Sequence, residues 1–483
     1  MRRQVGLSRR WDRRRSGLSF AKSAYSRHVA LHICDCPARC MSLSPLAVTV
    51  LCMACVLAVS LTCSRRVSSR DRRVRAQANT ETEVVTKSRL VPFTSAPVED
   101  LLVVDCTHPT APSLTHHRGG KTPATVAADT SGGIVLNAAK AGHVWLSKNK
   151  VACNHFDMDG LAAVFAFLEP ARALEHEELL RQAAHLGDFR EMDLQTPTGH
   201  SALALNVWLN SVERALFYRP FQGSEAHGAM KKYEHFLPRL PGALALSDAC
   251  AEFVETLAPK NCVLREAGSE FDTELSRVLA DANSLADCGP QAVRMTPSLG
   301  LCVVDCPKEL HYYALFSVTR GADTMLACYP GQRYELEHKY TGFVNVVSRP
   351  TVPRIDLTAL AAALTEVEVA RTGARDLLWV ANSITDSGPL MRLERTSDGA
   401  RKASKAERYM HPYERTILAS SVQPAEMEQT VRSYLAHGLR GVKAKTGWTW
   451  TELQELNASI DWAAWRATCK LLVAPQTKET KQE

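Results

Sequence analysis

At 483 residues, with 45% hydrophobic and 23% charged side chains, the chain has the composition of a folded protein long enough for two or three cored domains. Its net charge of +7 is unevenly spread: residues 1–75 hold fifteen Arg and one Lys against Asp12, Asp35 and Asp71, a net +13 that leaves −6 on the remaining 408 residues. The acidic body excludes a duplex nucleic-acid surface inferred from global charge, so any phosphate affinity must come from local clusters or bound metal.

Fifteen cysteines fall at irregular spacings, six of them before residue 64, which fits an intracellular chain better than a disulfide framework. Residues 1–43 form a basic segment rich in Arg and Ser, as in organellar transit peptides. Ser44 to Cys63 is a twenty-residue run without charge, about what one helix needs to cross the roughly 30 Å hydrocarbon layer, and is predicted to be a single-pass membrane anchor. "LAVSLTCS" offers a signal-peptidase site as the rival reading. Ten Lys or Arg precede the run and six follow it, and Met41 is an alternative start that would reverse the orientation. Cys34, Cys36, Cys40 and Cys63 are acylation sites or unmodified thiols. Residues 64–89 read as a polar linker.

The globular pattern begins at Leu90. "DLLVVDC" (100–106) is a buried strand ending in Asp105, and "TPATVAADTSGGIVLNAAKAG" (122–142) is a turn followed by a helix. "KVACNHFDMDGLAAVFAFLEP" (150–170) is a short strand, a polar elbow and an apolar helix that Pro170 stops. Strand, helix, strand, helix predicts a parallel sheet with crossover helices. Three segments within 171–290 then show helical periodicity, completing an α/β domain with a helical insert over 90–290. From 291 to 400 the pattern predicts a smaller β-rich domain, with "LGLCVVDC", "YYALFSV", "TMLACY", "RYELEHKY" and "GFVNVVSRP" as short runs of an antiparallel sheet. Helices are expected at Asp356–Val369, Pro424–His437 and Trp450–Leu472, the last two in a helical segment, 401–483, to which the sequence assigns no task.

The chemistry concentrates at the elbow. His155, Asp157 and Asp159 fall within five residues, at the carboxyl edge of a predicted sheet, where open α/β folds bind ligands. Hard cations such as Mg²⁺ or Mn²⁺ take oxygen ligands and neutralise acids that otherwise repel one another. The plainer reading makes Asp159 a cap of the following helix. Asp105 and Asp188 sit where further sheet-edge ligands are expected, or are turn and cap residues. His116 and His117, in "LTHHRGG", are metal ligands and proton carriers or solvated loop residues, and "AADTSGG" is first of all an N-cap.

"HFDMDGLAAVFAF" resembles the first motif of the DHH phosphoesterase superfamily, "LLVVDC" its second, and "LTHHRGG…AADTSGG" its Asp-His-His segment with the following helix start. The order is permuted, Thr115 stands where that superfamily has Asp, and its glycine-rich GGGH signature is absent. The chain is also similar, over about Pro92 to His437, to a family of uncharacterised, mainly bacterial proteins with "NHFDxDGL" and "DTS" at corresponding places. The likeness continues through "LHYYAL" (310–315) and "YELEHKYTGFVNVVSRP" (334–350).

The superfamily resemblance implies a DHH-like sheet whose cleft holds one or two Mn²⁺ or Mg²⁺ ions. Asp105, His116, Asp157, Asp159 and Asp188 would then be ligands, with His116 or His155 moving the proton. The β-rich half would recognise substrate, with His311, Arg333 and Arg349 as candidate phosphate contacts; surface ion pairs are the plainer fate of such arginines. The expected activity is hydrolysis of a phosphate ester or anhydride, on a phosphorylated small molecule or nucleotide, by a membrane-anchored protein. Two rivals stand beside it: a non-catalytic DHH-like protein binding a nucleotide or a partner, which Thr115 favours, and a structural sheet whose acids are only caps.

Overall fold

The computed structural model describes residues 89–94, 97–217, 225–249, 262–398 and 401–473, all within one compact unit, Gln77–Glu483. The predicted anchor and its basic flanks lie outside the described residues. Among the described residues no helix is long and apolar enough to cross a membrane.

The first half is built on a three-stranded parallel sheet, order β2-β1-β3, formed by β1 (Leu101–Val104), β2 (Ser113–Leu114) and β3 (Lys150–Ala152). All four β1 side chains are buried, so the strand is a continuous apolar run rather than an alternating one. Burying each such side chain is worth roughly 1.5–3 kcal/mol. Helix α1 (Ser131–Ala141) starts at the Thr130 cap, whose hydroxyl accepts from Gly133 N, and ends at Gly142 in the left-handed region. Helix α2 (Met158–Leu168) starts at Asp157, whose carboxylate accepts from Gly160 N. All eleven α2 residues are buried, packed against α1.

The expected helix after Pro170 is two helices, α3 (Pro170–Glu175) and α4 (Glu177–Phe189), with a break at His176. The insert continues with α5 (Pro197–Leu216), α6 (Glu225–Phe236), α7 (Leu240–Ala249) and α8 (Ser269–Ala286). One hydrophobic core joins these helices to the parallel sheet.

The second half carries a six-stranded sheet of order β4-β5-β6-β7-β9-β8: β4 (Val293–Thr296), β5 (Leu301–Asp305), β6 (Thr324–Tyr329), β7 (Arg333–His338), β8 (Leu377–Ala381) and β9 (Leu390–Arg395). It is mixed rather than purely antiparallel, because β5 and β6 pair in parallel. Their connection contains α9 (Tyr312–Ser317), in the stretch "YYALFSV" that aromatic content had marked as β. His311 caps it, and Tyr313 to Phe316 are all buried, so packing overrides the aromatic preference. Along β5, Leu301 and Val303 enter one core while Cys302 and Val304 enter the other, so both faces of the sheet are covered.

"GFVNVVSRP" forms no ladder strand. Its backbone N–H groups go instead to the first half: Asn345 N donates to His116 O (2.8 Å), and Val347 N and Ser348 N donate to Asp129 Oδ1 (2.7 and 2.9 Å). Helix α10 (Thr358–Thr372) covers one sheet face, followed by α11 (Lys405–Arg408) and α12 (Pro424–Gly438). The expected helix from Trp450 to Leu472 is three: α13 (Trp450–Ser459), α14 (Trp462–Thr468) and α15 (Lys470–Val473). Asp461 starts α14 afresh by accepting from Ala464 N.

Candidate metal centre

Because β1, β2 and β3 run parallel, their carboxyl ends lie at one edge, and the chain leaves each of them with a polar residue. β1 delivers Asp105, in the left-handed region at φ 56°. β2 delivers Thr115, His116 and His117, and β3 delivers His155 and then Asp157 and Asp159 at the start of α2. The last turn of α4 adds Asp188. Six of the predicted residues therefore converge: His116 Nε2 lies 3.3 Å from Asp188 Oδ2 and 3.8 Å from both Asp105 Oδ1 and Asp159 Oδ2. On the other side of Asp105, His155 Nε2 is 3.2 Å from Asp105 Oδ2 and 3.2 Å from Asp157 Oδ2.

The orientation of His116 is informative. Its Nδ1 is 2.5 Å from the Asp129 carbonyl oxygen, which can only accept, so Nδ1 donates; burial lowers the His116 pKa and favours the neutral ring, which leaves the lone pair on Nε2. That nitrogen is buried, faces three carboxylates and has no hydrogen bond; neither has Asp188 Oδ2. His116, Asp159 and Asp188 bring three ligand atoms within 4.8 Å of one another, as do Asp105, His116 and His117.

Asp159 is fully buried and does cap a helix, but not its own. Its two oxygens accept from Ser131 N and Gly132 N (2.7 Å each) at the start of α1, while Asp157 caps α2. Gly132 leaves room for that approach: a Cβ there would stand a tight 3.0 Å from Asp159 Oδ1 and 3.0 Å from the Ala162 Cβ. Ser131 Oγ donates to Asp105 Oδ1 (2.8 Å), so α1 supplies three donors to the two acids.

Electrostatics record the crowding. Burial, followed by the charges of Asp159 and Asp157, raises Asp105 to about 7; burial and Asp157 raise Asp159 to about 6. Asp188 is pushed well above the carboxylate range by burial and the other three acids. Burial works against a charged His155, yet Cys153 and then the carboxylates of Asp157 and Asp105 raise it well above the usual imidazole value; Asp157, also opposed by burial, is held low chiefly by His155. Burial and the two neighbouring histidines keep His117 neutral.

His117, His155, Asp157 and Asp188 line a cavity of about 460 Å³, while Asp105, His116 and Asp159 are buried behind that lining. Other walls carry groups that no motif marked: Arg118, Tyr340, Phe343, Lys405, Tyr409 and Trp450. His117 Nε2 is 2.9 Å from the Tyr340 hydroxyl, and Thr115 Oγ1, in place of the superfamily's Asp, is 3.1 Å from His117 Nδ1. Thr115 thus orients His117, while the four acids of the cluster come from other positions.

None of His311, Arg333 and Arg349 lines this cavity. Arg333 pairs with Glu309 and donates to Pro330 O; Arg349 pairs with Asp323 at 2.8 Å and borders a different cavity of about 560 Å³. His311 is buried, and its Nδ1 accepts from Tyr313 N, which leaves the proton on Nε2, 3.5 Å from Glu274 Oε1. Glu274, His311 and His411 together have ligand-like spacing. Arg214 intrudes there, 3.5 Å from Glu274 Oε2 and 2.6 Å from His411 Nε2, so that group is a buried ion-pair network rather than a cation site.

The fold and site thus define an α/β protein with an acid- and imidazole-lined pocket at the carboxyl edge of a parallel sheet. The chain belongs to a family of unknown function, DUF6687, which it matches over residues 86–446. Neither curated proteins nor solved structures include a match to it. The family match supports the likeness to uncharacterised proteins; the DHH likeness rests on the short motifs alone.

Proposed function

We propose that the cluster holds one or two divalent cations, Mn²⁺ or Mg²⁺, and that the protein hydrolyses a phosphate ester or anhydride. The observation that carries this reading is His116 Nε2, buried without a hydrogen bond and turned by the Asp129 carbonyl into Asp105, Asp159 and Asp188. Four carboxylates with few protein cations between them are oxygen-rich donors suited to hard ions. His116, Asp159 and Asp188 would hold one ion, and Asp105, Asp157 and His155 the other, with Asp105 shared. A bound cation would supply Lewis acidity and lower the pKa of an attacking water.

The chain's own residues account for the remaining chemistry. The water oxygen forms a bond to phosphorus as the bond to the leaving oxygen breaks; the water proton passes to the acid–imidazole cluster. Tyr340, whose burial keeps its hydroxyl protonated, donates to the leaving oxygen, and the proton taken from the water returns to it by relay through the His117 imidazole, 2.9 Å away. The permuted DHH motifs and a charge-free run at 44–63 support, respectively, a DHH-like reading and membrane attachment.

The test is metal content and Mn²⁺ affinity of the full-length protein, with phosphodiesterase, nucleotidase and polyphosphatase assays, repeated for His116→Ala and Asp157→Ala. Loss of bound metal and activity together is expected. Metal bound without turnover on any substrate would leave only the non-catalytic binding reading, and unchanged metal content in both variants would remove the proposal.

A further inference from the structure

Resting on that reading, we infer that the phosphate ester carries a planar ring, which lies against Phe343 and Trp450 while Arg118 holds an anionic oxygen of the same molecule. The two rings belong to segments more than one hundred residues apart, yet both are partly exposed on the cavity wall, edge to face with centroids 5.6 Å apart. They continue a series leading out from the cluster. His116 and His117 are 4.9 Å apart, and His117 and Phe343 are 5.9 Å apart. A ring resting on Phe343 and Trp450 therefore has room to keep its phosphoryl group at the carboxylate end.

Arg118 is the second, independent observation. One arm is fixed by the Trp448 carbonyl at 2.7 Å, and the guanidinium lies 5.0 Å over the Trp450 ring. Its Nε is buried in the wall without a hydrogen bond, and among the described residues Arg118 forms no ion pair. A fixed guanidinium that feels Glu452 and Asp323 only at a distance, beside a stacking surface, suits an anion joined to a ring. Pyrophosphate or a polyphosphate chain would satisfy the cation and leave the rings without a partner.

The experiment uses the full-length protein with Mn²⁺ and compares three ring-bearing esters (adenosine 5′-monophosphate, uridine 5′-monophosphate and phenyl phosphate) with ribose 5-phosphate and methyl phosphate by calorimetric titration. At least one ring ester should bind about 10- to 100-fold tighter than its ring-free counterpart, the size of one stacking contact. Trp450→Ala should erase that margin and Trp450→Phe retain most of it, with Mn²⁺ affinity unchanged in both. Arg118→Gln should weaken ring-bearing and ring-free esters alike. Equal binding of the two classes, or a margin that survives Trp450→Ala, would overturn the inference. So would failure of every ester to bind while Mn²⁺ binds, which leaves the cation reading intact. If Mn²⁺ itself does not bind, quenching of tryptophan fluorescence by adenosine, lost in Trp450→Ala, would support the ring surface while the cation reading falls.

Discussion

Replacing Asp105 with Asn should stabilise the metal-free protein and abolish its response to metal. Burial and neighbouring charges raise Asp105 from the ordinary 3.8 to about 7. A carboxyl with a raised folded-state pKa contributes its stability fully below the unfolded value and loses it as pH rises through the folded one. At about 1.4 kcal/mol per pH unit, ionising Asp105 by pH 8 costs the fold on the order of 4 kcal/mol. Asn keeps an acceptor for Ser131 Oγ and avoids the charge, so the net gain at pH 8 is about 2–4 kcal/mol, a rise of several degrees in the thermal midpoint. At pH 4, where the acid is protonated, the gain should vanish. Wild-type protein at pH 8 should be stabilised by millimolar Mn²⁺, and Asp105→Asn should not, since the shared ligand is gone. Thermal unfolding at both pH values, with Mn²⁺ or chelator, checks this crossing pattern. An Asn variant less stable than wild type at pH 8 without metal would refute the electrostatic account.

Three further outcomes follow from the geometry. Mn²⁺ affinity should fall as acid is added, because Asp105 and Asp159 take up protons near about 7 and about 6; the dissociation constant should rise about tenfold per pH unit below 7 and more steeply below 6, read by paramagnetic resonance titration. Gly160→Ala would place a Cβ 2.6 Å from the Tyr233 hydroxyl oxygen and 3.0 Å from Asp105 Oδ2. It should cost about 1–3 kcal/mol of stability and weaken Mn²⁺ binding, with part of the loss recovered when Tyr233→Phe is added; chemical denaturation of both variants measures this. Tyr340→Phe should lower kcat roughly 100-fold with Mn²⁺ affinity unchanged, since it removes a proton donor rather than a ligand.

The cluster was legible where local pattern sets position. A buried run such as "LLVVDC" ends at a sheet edge whatever surrounds it, and "CNHFDMDGL" has to turn from strand to helix within a few residues, so Asp105, His155, Asp157 and Asp159 could be placed there. Which acid caps which helix could not, because Asp159 serves α1, twenty-eight residues upstream, rather than its own helix. The ring orientation of His116 depends on a carbonyl thirteen residues away, and carbonyls leave no mark in a sequence. Arg118, Tyr340 and Trp450 meet only through tertiary packing, which is also why no local pattern in residues 401–483 marks Lys405, Tyr409 and Trp450 as cavity residues. Arg333 and Arg349, the candidate phosphate contacts of the β-rich half, pair instead with Glu309 and Asp323, partners that no local pattern reveals.

The account turns on a cation seated between His116 and its carboxylates. Anomalous diffraction at the manganese edge, on crystals grown with Mn²⁺ at pH 8, should show a peak about 2.0–2.4 Å from His116 Nε2 and from oxygens of Asp159 and Asp188. A well-ordered map at saturating Mn²⁺ with no peak among these side chains would contradict it.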